Sequence, residues 1–125
     1  MNGTLAINIL ALTIFTVSLS VGQLLFKQAG IAMQAKPFVE GFVTVLREPA
    51  FYAALTLYGL ATLLWVWILS RVPLSLAYPW VAAGVIIVPL LSWWVHGEKT
   101  NLTFWLGAAL IVVGILVTQR GLAEM

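Results

Sequence analysis

Four apolar runs, each about as long as the hydrocarbon core of a bilayer is thick, dictate what this chain can become. They cover residues 5–27, 51–70, 74–95 and 102–119, and the charged residues fall mainly between them. A core of about 30 Å takes about 20 helical residues at a rise of about 1.5 Å each. Backbone groups in lipid must pair within their own segment or close into a barrel, and these runs lack the apolar and polar alternation of barrel strands. The expected fold is an all-α membrane protein, one transmembrane domain over residues 1–125 with four spanning helices. Composition agrees: 62% of the residues are hydrophobic and 8% charged, against about 25% charged in soluble domains. A soluble fold of this size would leave too much apolar surface in water.

The same composition removes several function classes. Six basic and four acidic residues are scattered singly, so there is no clustered Lys and Arg surface for nucleic acid. No cysteine is present and His96 stands alone, which leaves no thiolate chemistry and no ligand set for a metal. No phosphate-binding glycine loop, nucleophile–base pair or paired carboxylates appear, so neither an enzyme nor a cofactor site is expected. The first apolar run is longer than a signal-peptide core and lacks its charged flank, and it reads as a retained helix.

The connections are short. Arg71-Val72-Pro73 fits a tight antiparallel hairpin, with Pro73 suited to a first helical turn. The second hairpin loop is His96-Gly97-Glu98-Lys99-Thr100-Asn101, where Gly97 can end one helix and Thr100 or Asn101 can cap the next. Asn2-Gly3-Thr4 and Asn101-Leu102-Thr103 match the glycosylation sequon, a motif frequent by chance, and capping explains Asn101 better. Between the first two runs, Pro37 and Pro49 bracket Phe38, Phe42, Val45 and Leu46 at helical spacing, so a short interfacial helix is expected over about 37–48. Arg71 and Arg120 on one side are balanced by Lys36, Arg47 and Lys99 on the other, which leaves the orientation in the membrane open.

Small residues recur within the runs: Gly22, Gly59, Ala82, Ala83, Gly84, Gly107 and Gly114. They allow close approach of backbones, the usual route to helix association in lipid. Gly107 and Gly114 lie seven apart on one face, which marks the last helix for packing or dimer formation.

Polar groups at membrane depth are functional candidates. Ser20, Gln23 and Lys27 are three and four residues apart and form one ribbon on the first helix. An amide and an ammonium there can donate several hydrogen bonds to a phosphate; equally, Lys27 can snorkel to the headgroups while Gln23 bonds a neighbouring helix. In Tyr78-Pro79-Trp80 the proline lacks a backbone donor, frees a carbonyl one turn earlier and permits a kink facing a cavity, and Pro89 repeats the effect. Tyr78 and Trp80 either line that cavity or belong to the aromatic belt. Glu98 either meets a ligand or caps the last helix.

These residues resemble a known family. Leu57-Tyr-Gly-Leu-Ala-Thr-Leu-Leu-Trp65, Arg71-Val-Pro-Leu-Ser-Leu-Ala-Tyr-Pro79, Gly97-Glu98 and Trp105-Leu-Gly-Ala-Ala-Leu-Ile111, with Gly22-Gln23 and Phe26-Lys27-Gln28-Ala29, are similar to the EamA-type repeat of the drug/metabolite transporter superfamily. Within it the chain most resembles the single-repeat subunits that flip undecaprenyl-phosphate-linked aminoarabinose across the bacterial inner membrane, and more distantly the small multidrug resistance transporters. The resemblance implies a four-helix bundle that pairs as a homodimer or with a related four-helix subunit, antiparallel or pseudo-symmetric. It further implies a lipid-linked sugar phosphate as substrate. In that reading Lys27 and Gln23 receive the phosphate, Tyr78 and Trp80 line the sugar path, and Glu98 contacts the head group or fixes its loop. The multidrug branch carries a membrane-embedded glutamate in the first helix, whereas this chain reads Val17-Ser18-Leu19-Ser20-Val21 before Gly22. Export of cationic compounds therefore stands as the alternative, together with a non-transporting membrane partner subunit.

Overall fold

The computed structural model describes residues 3–124, so Asn2 of the first sequon lies outside the described residues. The described residues form six helices: α1 Gly3–Ala32, α2 Phe38–Val45, α3 Pro49–Leu69, α4 Leu74–Val81, α5 Gly84–His96 and α6 Leu102–Ala123. Four stretches are long and apolar enough to cross a membrane, with α4 and α5 counting as one span over Leu74–His96. The boundaries follow local chemistry. Glu48 is extended ahead of Pro49, which opens α3 in the first helical position. Pro73 sits one place earlier than expected, at the N-cap of α4 rather than inside its first turn. Asn101 Oδ1 accepts from the Phe104 amide at 2.9 Å, so Asn101 caps α6 and Glu98 does not.

The first helix runs five residues past the expected end near Lys27. Lys27 and Gln28 do not stop it, because both find partners at the far end of α5, described below. α2 lies within the 37–48 stretch and leaves Phe38, Val39, Phe42, Val43 and Leu46 exposed, while Gly41 and Val45 are buried.

The bundle is held at the α1–α3 seam. Ala54, Ala61 and Ile68 recur every seven residues on the buried face of α3, opposite Phe15, Gly22 and Ala29 at the same interval on α1. Phe15 stacks on Trp65 with ring centroids 4.6 Å apart. A Cβ on Gly22 would fall inside the Tyr58 ring, so glycine here is what lets the aromatic lie flat on α1. At Gly59, Gly107 and Gly114 an added Cβ would meet nothing within 4 Å.

The third span is broken, not merely kinked. Residues 82–83 form a turn between α4 and α5, with i to i+3 bonds from Ala82 to the Pro79 carbonyl and from Ala83 to the Trp80 carbonyl, each 3.1 Å. Pro79 and Pro89 flank the turn and supply no amide hydrogen to the ladder on either side of it. The Thr16 hydroxyl of α1 lies 3.2 Å from the Trp80 carbonyl and 2.9 Å from its own Leu12 carbonyl, one proton serving both.

Candidate functional site

The polar ribbon of α1 faces this broken span, and its members meet different partners from the bilayer centre outwards. Ser20 is 1% exposed and bonds the Thr16 carbonyl at 2.8 Å, with Gly84 at the start of α5 close beside it. Gln23 donates its side-chain amide to the Tyr58 hydroxyl of α3. Thr16, Leu19, Ser20, Gln23, Tyr58, Val81, Gly84 and Val88 enclose a cavity of about 190 Å³ between α1, α3 and the α4–α5 turn. The ribbon is therefore one residue longer than spacing alone suggested, with Thr16 four residues before Ser20.

At the end of the ribbon, Lys27 Nζ pairs with Glu98 Oε1 at 3.0 Å, both side chains slightly under half exposed. Backbone geometry delivers Glu98 to that point. Gly97 adopts the left-handed conformation, φ 69°, that glycine alone reaches without strain. This lets the Glu98 amide bond back to the Ser92 carbonyl at 3.4 Å, closing a Schellman turn. The buried Ser92 hydroxyl then donates to Glu98 Oε2 at 2.6 Å. One carboxylate oxygen is thus anchored by Ser92 and the other faces Lys27. The Ser92 hydroxyl, and after it the Lys27 ammonium, hold the Glu98 carboxyl below the ordinary carboxylate range. Beside this pair, His96 Nε2 lies 3.3 Å from Gln28 Oε1.

Four of the six residues expected at a site are thereby gathered along one line: Ser20, Gln23, Lys27 and Glu98. The other two lie elsewhere. Tyr78 is 64% exposed on α4 and borders none of the described cavities. The Trp80 side chain borders a groove of about 620 Å³ between α4–α5 and α6, and only its carbonyl meets the ribbon, through Thr16. The helical turn carrying Pro79 turns Tyr78 outward and leaves Trp80 half-buried against the α1–α3 core, with its carbonyl pointing along the axis towards Thr16. The carbonyl of Leu76 in that turn accepts from Gln119 of α6 at 3.1 Å.

Thr16, Tyr58 and Ser92 escaped the sequence reading. Thr16 was legible as the i−4 neighbour of Ser20. A tyrosine ten residues into a spanning helix also carries a signal, since its hydroxyl needs a partner in lipid. Ser92 gave none, because its role depends on the reversal at Gly97.

Comparison with known proteins adds a family to this geometry. The probable 4-amino-4-deoxy-L-arabinose-phosphoundecaprenol flippase subunit ArnE of Serratia proteamaculans is 42% identical over 96 residues, 77% of this chain and 81% of that protein. The protein of the same name from Aeromonas hydrophila is 35% identical over 96 residues, 77% and 82% of the two chains. That of Yersinia pseudotuberculosis is 38% identical over 97 residues, 78% and 82%. No family model and no solved structure matches the chain. Four spans and relatedness at this level over most of both lengths make the chain a multi-pass inner-membrane protein, and it belongs to the ArnE family of flippase subunits.

Proposed function

We propose that this chain is one subunit of a flippase that moves 4-amino-4-deoxy-L-arabinose linked to undecaprenyl phosphate between the leaflets of the inner membrane. Lys27 and Gln23 are the residues assigned to the phosphate, and Ser20 lines the polar cavity on their inner side. One observation carries the assignment: Lys27 stands at the end of a polar ribbon with its ammonium close to half exposed and bound to a carboxylate that is itself open to water. A half-exposed pair of this kind is weakened by solvent screening, so an arriving phosphate can compete for the ammonium. A lysine has three donors and no acceptor, so it can hold a second anion while keeping the first. Tyr78, exposed on α4, and Trp80, beside the groove facing α6, are assigned to the sugar path, which a second subunit would complete.

A single bundle of four helices encloses little space, and the cavity beside Gln23 holds about 190 Å³, below the roughly 300–1,000 Å³ usual for ligand sites. The working unit is therefore a dimer, of this chain or of this chain with a related four-helix subunit, in which the ribbon faces a shared path. The rival reading, proton-coupled export of cations, needs a carboxylate at membrane depth. Glu40, Glu48, Glu98 and Glu124, the only acidic residues, all fall outside the four spans.

Translocation of the lipid-linked sugar in proteoliposomes tests the assignment. Lys27→Ala is expected to slow flipping by about tenfold or more and Gln23→Ala by about threefold, in line with the loss of a charge-assisted and a neutral hydrogen bond. Normal rates in both variants would remove these residues from the phosphate site.

A further inference from the structure

The ion pair at the end of the ribbon offers two charges of opposite sign side by side, and the flippase reading above needs only one of them. A lysine alone suffices for a phosphate. Glu98 beside it is a handicap, since a phosphate that approaches Lys27 also approaches a carboxylate 3.0 Å away. Two details show that the carboxylate is held there by design of the turn. Gly97 reverses the chain so that Glu98 lies over Ser92, and Ser92 fixes Oε2 while Oε1 pairs with Lys27 in a side chain 47% exposed. A carboxylate with one oxygen anchored in its own turn and the other in a half-exposed ion pair is arranged to exchange partners at the second.

The related proteins are named for a substrate whose sugar carries an amino group in place of a hydroxyl. Such a lipid is a zwitterion near neutral pH, with a phosphodiester anion on the tail side and an ammonium on the sugar. We infer that Lys27 and Glu98 form a two-sided receptor for this zwitterion, in which the phosphate goes to Lys27 and Gln23 and the sugar ammonium goes to Glu98 Oε1. The inference rests on the proposed flippase function and adds what selects its cargo. The order along the site suits it: Gln23 and Lys27 lie on α1 inside the span, whereas Glu98 lies in the loop beyond α5. A phosphate tethered to a membrane-embedded tail is thereby placed inward of the sugar.

Charge alternation gives the selectivity. With the zwitterion bound, each of the four charges has neighbours of opposite sign, and the set is neutral. A lipid phosphate bearing a neutral sugar would instead leave Glu98 next to the phosphate with only one ammonium between them, a like-charge juxtaposition that works against binding. Glu98 is in this sense the residue that rejects unaminated carriers.

The protein extracted with its native assembly and reconstituted in liposomes can be offered two probes. One is polyprenyl phosphate carrying 4-amino-4-deoxy-arabinose, the other polyprenyl phosphate carrying arabinose. The wild type is expected to move the amino lipid faster by about two- to fivefold, the span of a partly exposed ion pair. Glu98→Gln keeps the shape and the Ser92 contact but is expected to bring the ratio of the two rates close to one, by slowing the amino lipid and relieving the repulsion that holds back the neutral one. Should Glu98→Gln reduce the amount of folded protein, the exchange Lys27→Glu with Glu98→Lys retains the pair and is likewise expected to abolish the preference. A preference that survives in both variants, or a wild type that moves both lipids equally, overturns the receptor while leaving the flippase intact. A wild type that moves neither lipid overturns the flippase reading, and the receptor with it.

Discussion

α1 and α6 are both long, apolar spanning helices that carry glycines seven or eight residues apart, yet they live in different surroundings. A third of the most apolar stretch of α1 is buried within the chain, against 6% of that of α6. Gly22 of α1 is covered by Tyr58, whereas Gly107 and Gly114 of α6 face open space. α6 touches the bundle chiefly through α4 and α5, where a groove of about 620 Å³ separates them. The lesson is that apolarity sends a helix into the membrane but does not choose its neighbours. Close approach does that, and close approach needs a small residue opposite a flat one together with polar groups that find partners. α1 has both, so it is the axis of the chain. α6 keeps its glycine face uncovered, which suits the pairing with a second subunit proposed above.

This contrast can be broken most sharply at Gly22. Gly22→Leu would drive a branched side chain into the Tyr58 ring and is expected to destabilise the α1–α3 seam by about 3 kcal/mol, visible as lost folded protein in detergent and a lowered unfolding midpoint. A stable Gly22→Leu protein would mean that the seam is not where the chain is held. Thr16→Val removes the hydroxyl shared by Leu12 and Trp80 and is expected to lose about 0.6 kcal/mol, the average for a hydrogen bond between membrane helices. Hydrogen exchange at the α4–α5 turn should rise in that variant, and an unchanged turn would disconnect Thr16 from it.

The Lys27–Glu98 contact gives a smaller effect with a defined sign. Because the folded state holds the Glu98 carboxyl below its ordinary value of 4.5, the unfolded chain takes up the proton first as pH falls. The contribution is complete above that value and is lost as pH drops through the lower folded pKa. Comparing unfolding midpoints of wild type and Glu98→Gln from pH 7 downward isolates it, since the other carboxylates titrate in both proteins. A difference that grows on acidification would contradict the geometry. Smallest of all, Gly114→Leu on α6 is expected to change the stability of the isolated chain by no more than about 0.5 kcal/mol. In a cross-linking assay of the intact assembly the same variant should weaken association, and a normal assembly would release α6 from the interface.

The sequence by itself determined the number of spans, the tight hairpin at Arg71, the reversal at Gly97, the cap at Asn101 and the polar face of α1. All of these depend on residues near one another in the chain, or on the transfer of each side chain into lipid, which is a property of the residue type. Only the tertiary structure decided that Glu98 pairs with Lys27 instead of capping α6, that Tyr78 faces outward, and that the third span is broken where Thr16 meets it. Those outcomes depend on how each helix is rotated about its axis and which hairpin lies against which. Gln28 and His96, 68 positions apart, meet only because α1 runs on past Lys27 and α5 ends beside it. No local pattern encodes that coincidence of length and rotation.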